Sequence, residues 1–410
     1  MGSIKSGTKR YRQINWAFFC AGFVTFITLY DVQPLLPVFT REFGVSAMFA
    51  SLPLSVTSCA LAVSMLFAGT ISETLGRKTV MVASLVTTSV LAYLTSQTQS
   101  LEQLVAVRFL QGIALAGLPA VALAYLSEEI APASLTSAIG LYISGNAIGG
   151  MTGRIFTATM AEATSWRTAL AIIGAVCFVL SLYFAKSLPP SENCKQRPFA
   201  VRYLFSSLYR QLQDPGLLCL YGISFLIMGS FVTLYNYITF RLLGAPYHLP
   251  ASLVSLIFLV YMLGSFSSSM IGVQVERFGR GRMLFLTIGT MIAGALCTVS
   301  GELGTIVTGI AIFTCGFFGA HTIASSWVGS RAKTARAQAA SLYLFFYYLG
   351  SSVSGTVGGV FWTSFGWHGV VLLILGLLGG GLVLLKFLTS CAEADCPARS
   401  AVASLDILRS

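Results

Sequence analysis

Asp31 is the only acidic side chain of this chain inside a long apolar run and away from its ends. Such surroundings penalise an ionised group, so a lone carboxylate there is a candidate for taking up and releasing protons. His321 is the only histidine in a comparable setting. Its ordinary titration range makes it a second candidate proton site, against the plainer reading of a structural histidine hydrogen-bonded to a neighbouring helix. Arg108 and Arg154 are the basic residues inside such runs. Arg154 shares a helical face with Asn146 and Gly150 near the end of its run, where its head is expected to snorkel towards water in preference to touching a ligand. Tyr30, Tyr142, Tyr235, Asn236, Trp327, Tyr343 and Tyr347 add aromatic faces and hydrogen-bonding groups, a wall suited to amphipathic organic solutes, although helix packing explains some of them. This is no catalytic set. One acid and one histidine provide neither a nucleophile with its base, nor paired carboxylates, nor a metal cluster, so an enzyme is not expected. Gly76-Arg77-Lys78-Thr79 ends like a phosphate-binding loop, but its spacing is wrong and Arg77 interrupts Gly-Lys, so no nucleotide site is expected.

The elements that position these residues are membrane spans. A chain of 410 residues that is 55% hydrophobic and 10% charged, with a mean hydropathy of +0.80, is no ordinary soluble globule. Runs long enough to cross a hydrocarbon core fall at 15–39, 49–71, 79–98, 101–125, 135–160 and 166–186, and again at 216–241, 250–274, 283–300, 303–327, 337–363 and 367–389. The expected organisation is a tail over 1–14, a six-helix half over 15–186, a polar central linker over 187–215, a second six-helix half over 216–389 and a tail over 390–410. The fold class is therefore an all-α polytopic membrane protein, with twelve transmembrane helices in two pseudo-symmetric halves. With the N-terminus inside, 20 of the 25 Lys and Arg residues fall on the inner side and only Arg41, Arg167 and Arg241 on the outer. Both termini are thus expected to be cytoplasmic, in the cell's inner (plasma) membrane. The net charge of +11 follows from topology and anionic headgroups, and no nucleic acid is needed as a partner. The first run is too long for a signal-peptide core and is expected to remain as a span. The nine cysteines lack disulfide or zinc spacing, so no metal is expected. Pro34 and Pro37 are expected to bend the outer end of the first span.

Two charged loops repeat across the halves. Gly69, Glu73, Gly76 and Arg77 recur as Gly272, Glu276, Gly279 and Arg280, giving Gly-x3-acid-x2-Gly-Arg twice. Leu29-Tyr30-Asp31 recurs as Leu234-Tyr235-Asn236, and Leu141-Tyr142 as Leu342-Tyr343. Parallel repeats of this kind imply a pseudo-two-fold axis along the membrane normal and a central cavity, the plan of a secondary transporter.

These residues resemble the major facilitator superfamily over nearly the whole chain. Gly69 to Lys78 is similar to its first loop signature, with Glu73 for the usual Asp and Thr74 for the usual Arg, and Arg108-Phe-Leu-Gln111-Gly112 resembles its Arg-x-x-Gln-Gly signature. Gly145-Asn146-Ala-Ile-Gly149-Gly150-Met-Thr-Gly153 resembles the antiporter signature without its usual Gly-Pro. Tyr125-Leu-Ser-Glu128-Glu129, Ala324-Ser-Ser-Trp327 and Ser341-Leu-Tyr343-Leu-Phe look like the bacterial YnfM-type branch of the drug/metabolite:proton antiporters.

The resemblance implies that spans 1 and 4 adjoin, so that Asp31 and Arg108 pair. A carboxylate whose ion pair is made and broken as helices move would serve a proton-coupled switch, the competing reading being an inert structural pair. It also implies a conformational latch at the cytoplasmic ends, with Gly69, Glu73, Gly76, Arg77, Lys78 and Glu128 or Glu129 in the first half and Glu276, Arg277, Gly279 and Arg280 in the second. The competing reading is that these bases only enforce topology. Gln111 joins the tyrosines, Asn146, Arg154, Asn236 and Trp327 as a candidate cavity residue. The expected function is proton-coupled export of small organic molecules, drugs or metabolites, by alternating access. The chain would work as a monomer with no cofactor, driven by the proton gradient, its partners being substrate, protons and lipid. The alternatives are a proton-coupled organic-anion or sugar transporter, or a membrane sensor that does not transport.

Overall fold

A computed structural model describes residue 4 and residues 7–191, 201–332 and 334–407. Of the expected linker, residues 192–200, with Lys195 and Arg197, lie outside the described residues, as do Lys5, Lys333 and Arg409. The described chain forms α1 (Lys9–Tyr30), α2 (Leu36–Phe43), α3 (Ala47–Leu75), α4 (Arg77–Thr95), α5 (Leu101–Leu115), α6 (Pro119–Glu129), α7 (Pro132–Ala163) and α8 (Trp166–Ser187). It continues with α9 (Val201–Leu212), α10 (Pro215–Leu243), α11 (Ala251–Ser255), α12 (Tyr261–Phe278), α13 (Arg280–Cys297), α14 (Leu303–Arg331) and α15 (Arg336–Ile407). Nine described segments are long and apolar enough to cross a membrane. The one over Arg336–Ser390 supplies two crossings, because α15 breaks at Gly366, whose φ of +59° favours glycine. With α7 and α13 the spans number twelve.

Apolar side chains cover the surface as well as filling the core. Val179, Phe266 and Leu372 are exposed, whereas Asp31, Arg108, Gln111 and Arg154 are buried. An apolar surface, over a largely apolar core that holds a few buried charges, suits a lipid solvent.

Three spans are interrupted, the second and third of these where the sequence reading runs helix through. The first stops at Tyr30, passes through a short 3₁₀ turn at Gln33–Leu35 and resumes as α2. Pro34 and Pro37 account for this, since neither donates a backbone hydrogen bond. The fourth stops at Leu115 and restarts with Pro119 in the first turn of α6. The eighth passes from α11 through a 3₁₀ segment, Leu256–Val260, into α12. Part of the linker is helical: α9 buries Leu204, Ser207, Leu208 and Gln211, a stripe at helical spacing, and exposes Phe205 and Tyr209.

Contacts divide the chain into two compact units. One comprises Met1–Val201, Val232–Met262 and Ser351–Val370; the other comprises Arg202–Phe231, Leu263–Gly350 and Val371–Ser410. In the first, α7 lies against α1 along a line of glycines. A Cβ on Gly145, Gly149 or Gly153 would run into the backbone carbonyl of Phe19, Phe23 or Ile27 respectively. Only hydrogen at these positions lets the two backbones meet, which is how helices associate where lipid removes the hydrophobic drive. In the second unit the approach recurs about two hundred residues on, where Gly350 meets the carbonyl of Phe225.

Candidate functional site

The break after Tyr30 creates the site. The last carbonyls of a helix lack intrahelical partners, and a cation suits that end of the helix. Arg108 of α5 fills this place: Nη1 donates to the Thr28 carbonyl at 2.8 Å and Nη2 to the Leu29 carbonyl at 2.8 Å. Nη1 also meets Asp31 Oδ1 at 3.1 Å and Gln111 Oε1 at 2.8 Å, and Nε reaches the Pro53 carbonyl at 3.4 Å. Arg108 is 0% exposed and Asp31 1%, so the pair is sealed from bulk solvent. Gln111 points at Arg108 and the Thr88 carbonyl, so this candidate cavity residue is part of the ion-pair network. Gly112, one position on, allows α5 to approach α3, where a Cβ would clash with Thr57 and Ala60.

Two residues beyond Asp31, Gln33 links a second cluster. Its Oε1 accepts from Arg154 Nε at 2.6 Å, and its Nε2 donates to Asn236 Oδ1 at 2.8 Å. Arg154 Nη1 donates to the Gly150 carbonyl at 2.7 Å. The guanidinium lies 4.0 Å from the ring centre of Tyr30, 5.0 Å from Phe258 and 4.9 Å from Tyr261. The expectation that Arg154 snorkels to water is therefore corrected: it is 2% exposed. The glycine contacts hold the end of α7 hard against α1, and the three rings close over the head.

Tyr235 stacks on Phe258 at 5.5 Å, beside that cluster. Tyr142 and Asn146 face α1 at Gly22, below it. The other candidates lie in the second unit. There the Tyr343 hydroxyl sits 2.9 Å from His321 Nδ1, and the His321 ring is 4.9 Å from that of Tyr347. Trp327 is half-buried on α14. Grooves of about 630 Å³, flanked by Phe67, Ile71 and Leu110, and about 810 Å³, flanked by Phe285 and Leu382, are lined by none of the aromatic or polar candidates.

The loop residues form a third cluster. Arg77 Nη2 meets Glu128 Oε1 at 2.8 Å and Nε meets Oε2 at 3.3 Å, a two-pronged pair, while Nη1 donates to Ser72 Oγ at 2.6 Å and to the Gly69 carbonyl at 3.4 Å. Glu73 is 3.7 Å away. Of the two acids offered as partners of Arg77, Glu128 is the one that meets it; Glu129 accepts from Ser191 at 2.7 Å. Gly76, at φ +92°, makes the turn, and Lys78 takes part in none of the described ion pairs. In the second unit Gly279 makes the same turn at φ +82°, and Arg280 donates to Ser330 at 2.8 Å. Neither Glu276 nor Arg277 takes part in a described ion pair; Arg277 lies over the Phe278 ring. Among the described residues of this end, Arg331 pairs with Asp214 at 2.7 Å.

Sequence reasoning missed Gln33, Ser330 and the Asp214–Arg331 pair. Gln33 carried a signal, being a second polar residue beside Asp31 just before a proline. Ser330 carried none.

A family model described as Major Facilitator Superfamily matches residues 16–355. The chain is 50% identical to the uncharacterized MFS-type transporter YybF of Bacillus subtilis, over 92% of this chain and 94% of that one. It is 43% identical to the inner membrane transport protein YnfM of Escherichia coli, over 92% of each. Among solved structures, a D-xylose-proton symporter superposes with a TM-score of 0.74 at 14% identity, covering 93% of this chain and 97% of that one.

Proposed function

This chain belongs to the Major Facilitator Superfamily of membrane transporters, and from that membership we propose that it couples proton entry to export of small organic molecules, with Asp31 as the coupling carboxylate. One observation carries the reading: a buried acid sits at the broken end of α1, in contact with a buried arginine from another span. Protonating Asp31 removes its charge and weakens its hold on Arg108. Arg108 is not orphaned by that step, because the Thr28 and Leu29 carbonyls and Gln111 still accept from it. A proton can thus loosen one link between the spans without stranding a bare cation, as a reversible switch requires. Arg77 with Glu128 acts as the latch of the alternating-access cycle. The direction of transport rests on the likeness of the Gly145 to Gly153 stretch to the antiporter signature. The protein works as a monomer without a cofactor in the inner membrane, both termini on the cytoplasmic side.

Purified protein in liposomes with an interior pH dye tests the coupling. A panel of organic solutes under an imposed pH gradient should evoke proton flux in the wild type. Asp31→Asn should abolish solute accumulation against a gradient while leaving exchange down a gradient. A folded Asp31→Asn variant with wild-type proton-driven flux and pH dependence would overturn the role.

A further inference from the structure

Three arginines of the chain are buried among the described residues: Arg77, Arg108 and Arg154. The first two each face a carboxylate, at 2.8 Å from Glu128 and 3.1 Å from Asp31. Arg154 takes part in none of the described ion pairs. Its partners are a neutral amide, a backbone carbonyl and three ring faces, and the hydrogen bonds run from Nε and Nη1, leaving Nη2 without one among those described. Around the α1 break the buried charges are therefore Asp31, Arg108 and Arg154, one positive charge in excess. A net buried charge is costly unless something compensates it. Ring faces supply part of that compensation, but they offer no lone pair to the remaining N–H groups of the guanidinium, which call for an acceptor in its plane.

We propose that Arg154, within the cage of Tyr30, Phe258 and Tyr261, binds the carboxylate of an organic monoanion. The proposal narrows the substrate class and rests on the transporter reading above. A planar guanidinium fork matches a carboxylate in both shape and charge. Gln33 holds the place of that acceptor. Its Oε1 accepts from Nε at 2.6 Å, and a carboxylate arriving on the Nε and Nη2 edge would displace it with a charge-assisted bond about twice as strong as the neutral one. Displacing Gln33 also disturbs its bond to Asn236 of α10, so that occupancy of Arg154 reaches a second span through a single side chain. One added negative charge brings the cluster to neutrality. Exchanging a monoanion outward for an inward proton moves two charges inward, so an interior-negative potential drives this export.

Equilibrium binding to the purified full-length protein tests the site without any gradient. The probes are benzoate and hexanoate, each set against its amide and its amine. Saturable thermal stabilisation by a carboxylate, absent with its amide and amine, is expected. Arg154→Gln should weaken it at least about tenfold, and Arg154→Lys, which keeps the charge and loses the fork, should weaken it less. Gln33→Ala removes the competing acceptor and should tighten it, an arm that stands even where Arg154→Gln fails to fold. Equal stabilisation by amides, no response to either carboxylate at millimolar concentration, or undiminished affinity in folded Arg154→Gln would overturn the proposal. Asp31→Asn raises the positive excess around the α1 break and should bind the carboxylates more tightly, with Arg154 still required. Tighter binding together with wild-type proton coupling in that variant would sink the coupling role and leave this site standing.

Discussion

Arg108 does two jobs with one side chain: it neutralises Asp31 and satisfies carbonyls that the break in α1 leaves open. Arg108→Ala removes both, stranding a buried carboxylate, and should cost about 3–5 kcal/mol of stability. Adding Asp31→Asn to it should return part of that loss, because the stranded charge is gone. Denaturant or thermal unfolding of the single and double variants measures this, and a double variant no more stable than Arg108→Ala would contradict it. The contact between these residues was legible through the family resemblance, whose fold sets spans 1 and 4 side by side. Gln33 was not. An uncharged amide incurs a smaller penalty than an ion and can be satisfied by many partners, and its two partners lie 121 and 203 residues away in the sequence.

Element by element, the apolar runs gave away the spans, because crossing a hydrocarbon core demands length and hydropathy whatever the fold. Their interruptions were harder to read. Pro34 and Pro37 announced the first break, but Pro119 sits in an apolar run whose hydropathy never dips, so the end of α5 at Leu115 passed unnoticed. The helix inside the linker was hidden by polarity, its buried stripe being only four residues wide. The glycines of α7 offer the clearest test at this scale. Gly149→Ala would drive a methyl into the Phe23 carbonyl and should cost about 1–3 kcal/mol as the helices part. Gly140→Ala, on the same helix with open space around it, should be neutral or slightly stabilising. Equal thermal stability of the two variants would refute the close-packing argument.

At the scale of the molecule, the repeated loops place an arginine at the same turn twice but give it different partners. Arg77 holds Glu128 as an ion pair, and Arg280 holds Ser330 by a hydrogen bond. Breaking the stronger link by Arg77→Ala should slow transport turnover several-fold while leaving substrate affinity nearly unchanged. Ser330→Glu, which offers Arg280 a carboxylate, should also slow turnover, by overstabilising the latched state. Flux and equilibrium binding measured side by side distinguish a latch from a binding residue; parallel loss of both in a folded variant counts against the latch. For topology, a cysteine replacing the exposed Arg202 should react with an impermeant maleimide only after the membrane is opened, and labelling of intact cells would invert the proposed orientation. The glycine line on α7 also has a mechanical meaning. Its notches recur every four residues and engage carbonyls of α1 with the same period. Two rods keyed in that way cannot creep past each other by fractions of a turn; any slip must be a whole step of about 6 Å. Spans 1 and 5 therefore travel as a single beam, and Arg154, the residue after the last notch, rides on it. The 32 residues of α7 make that beam about 48 Å long, so a small tilt at one end is a displacement of several ångströms at the other.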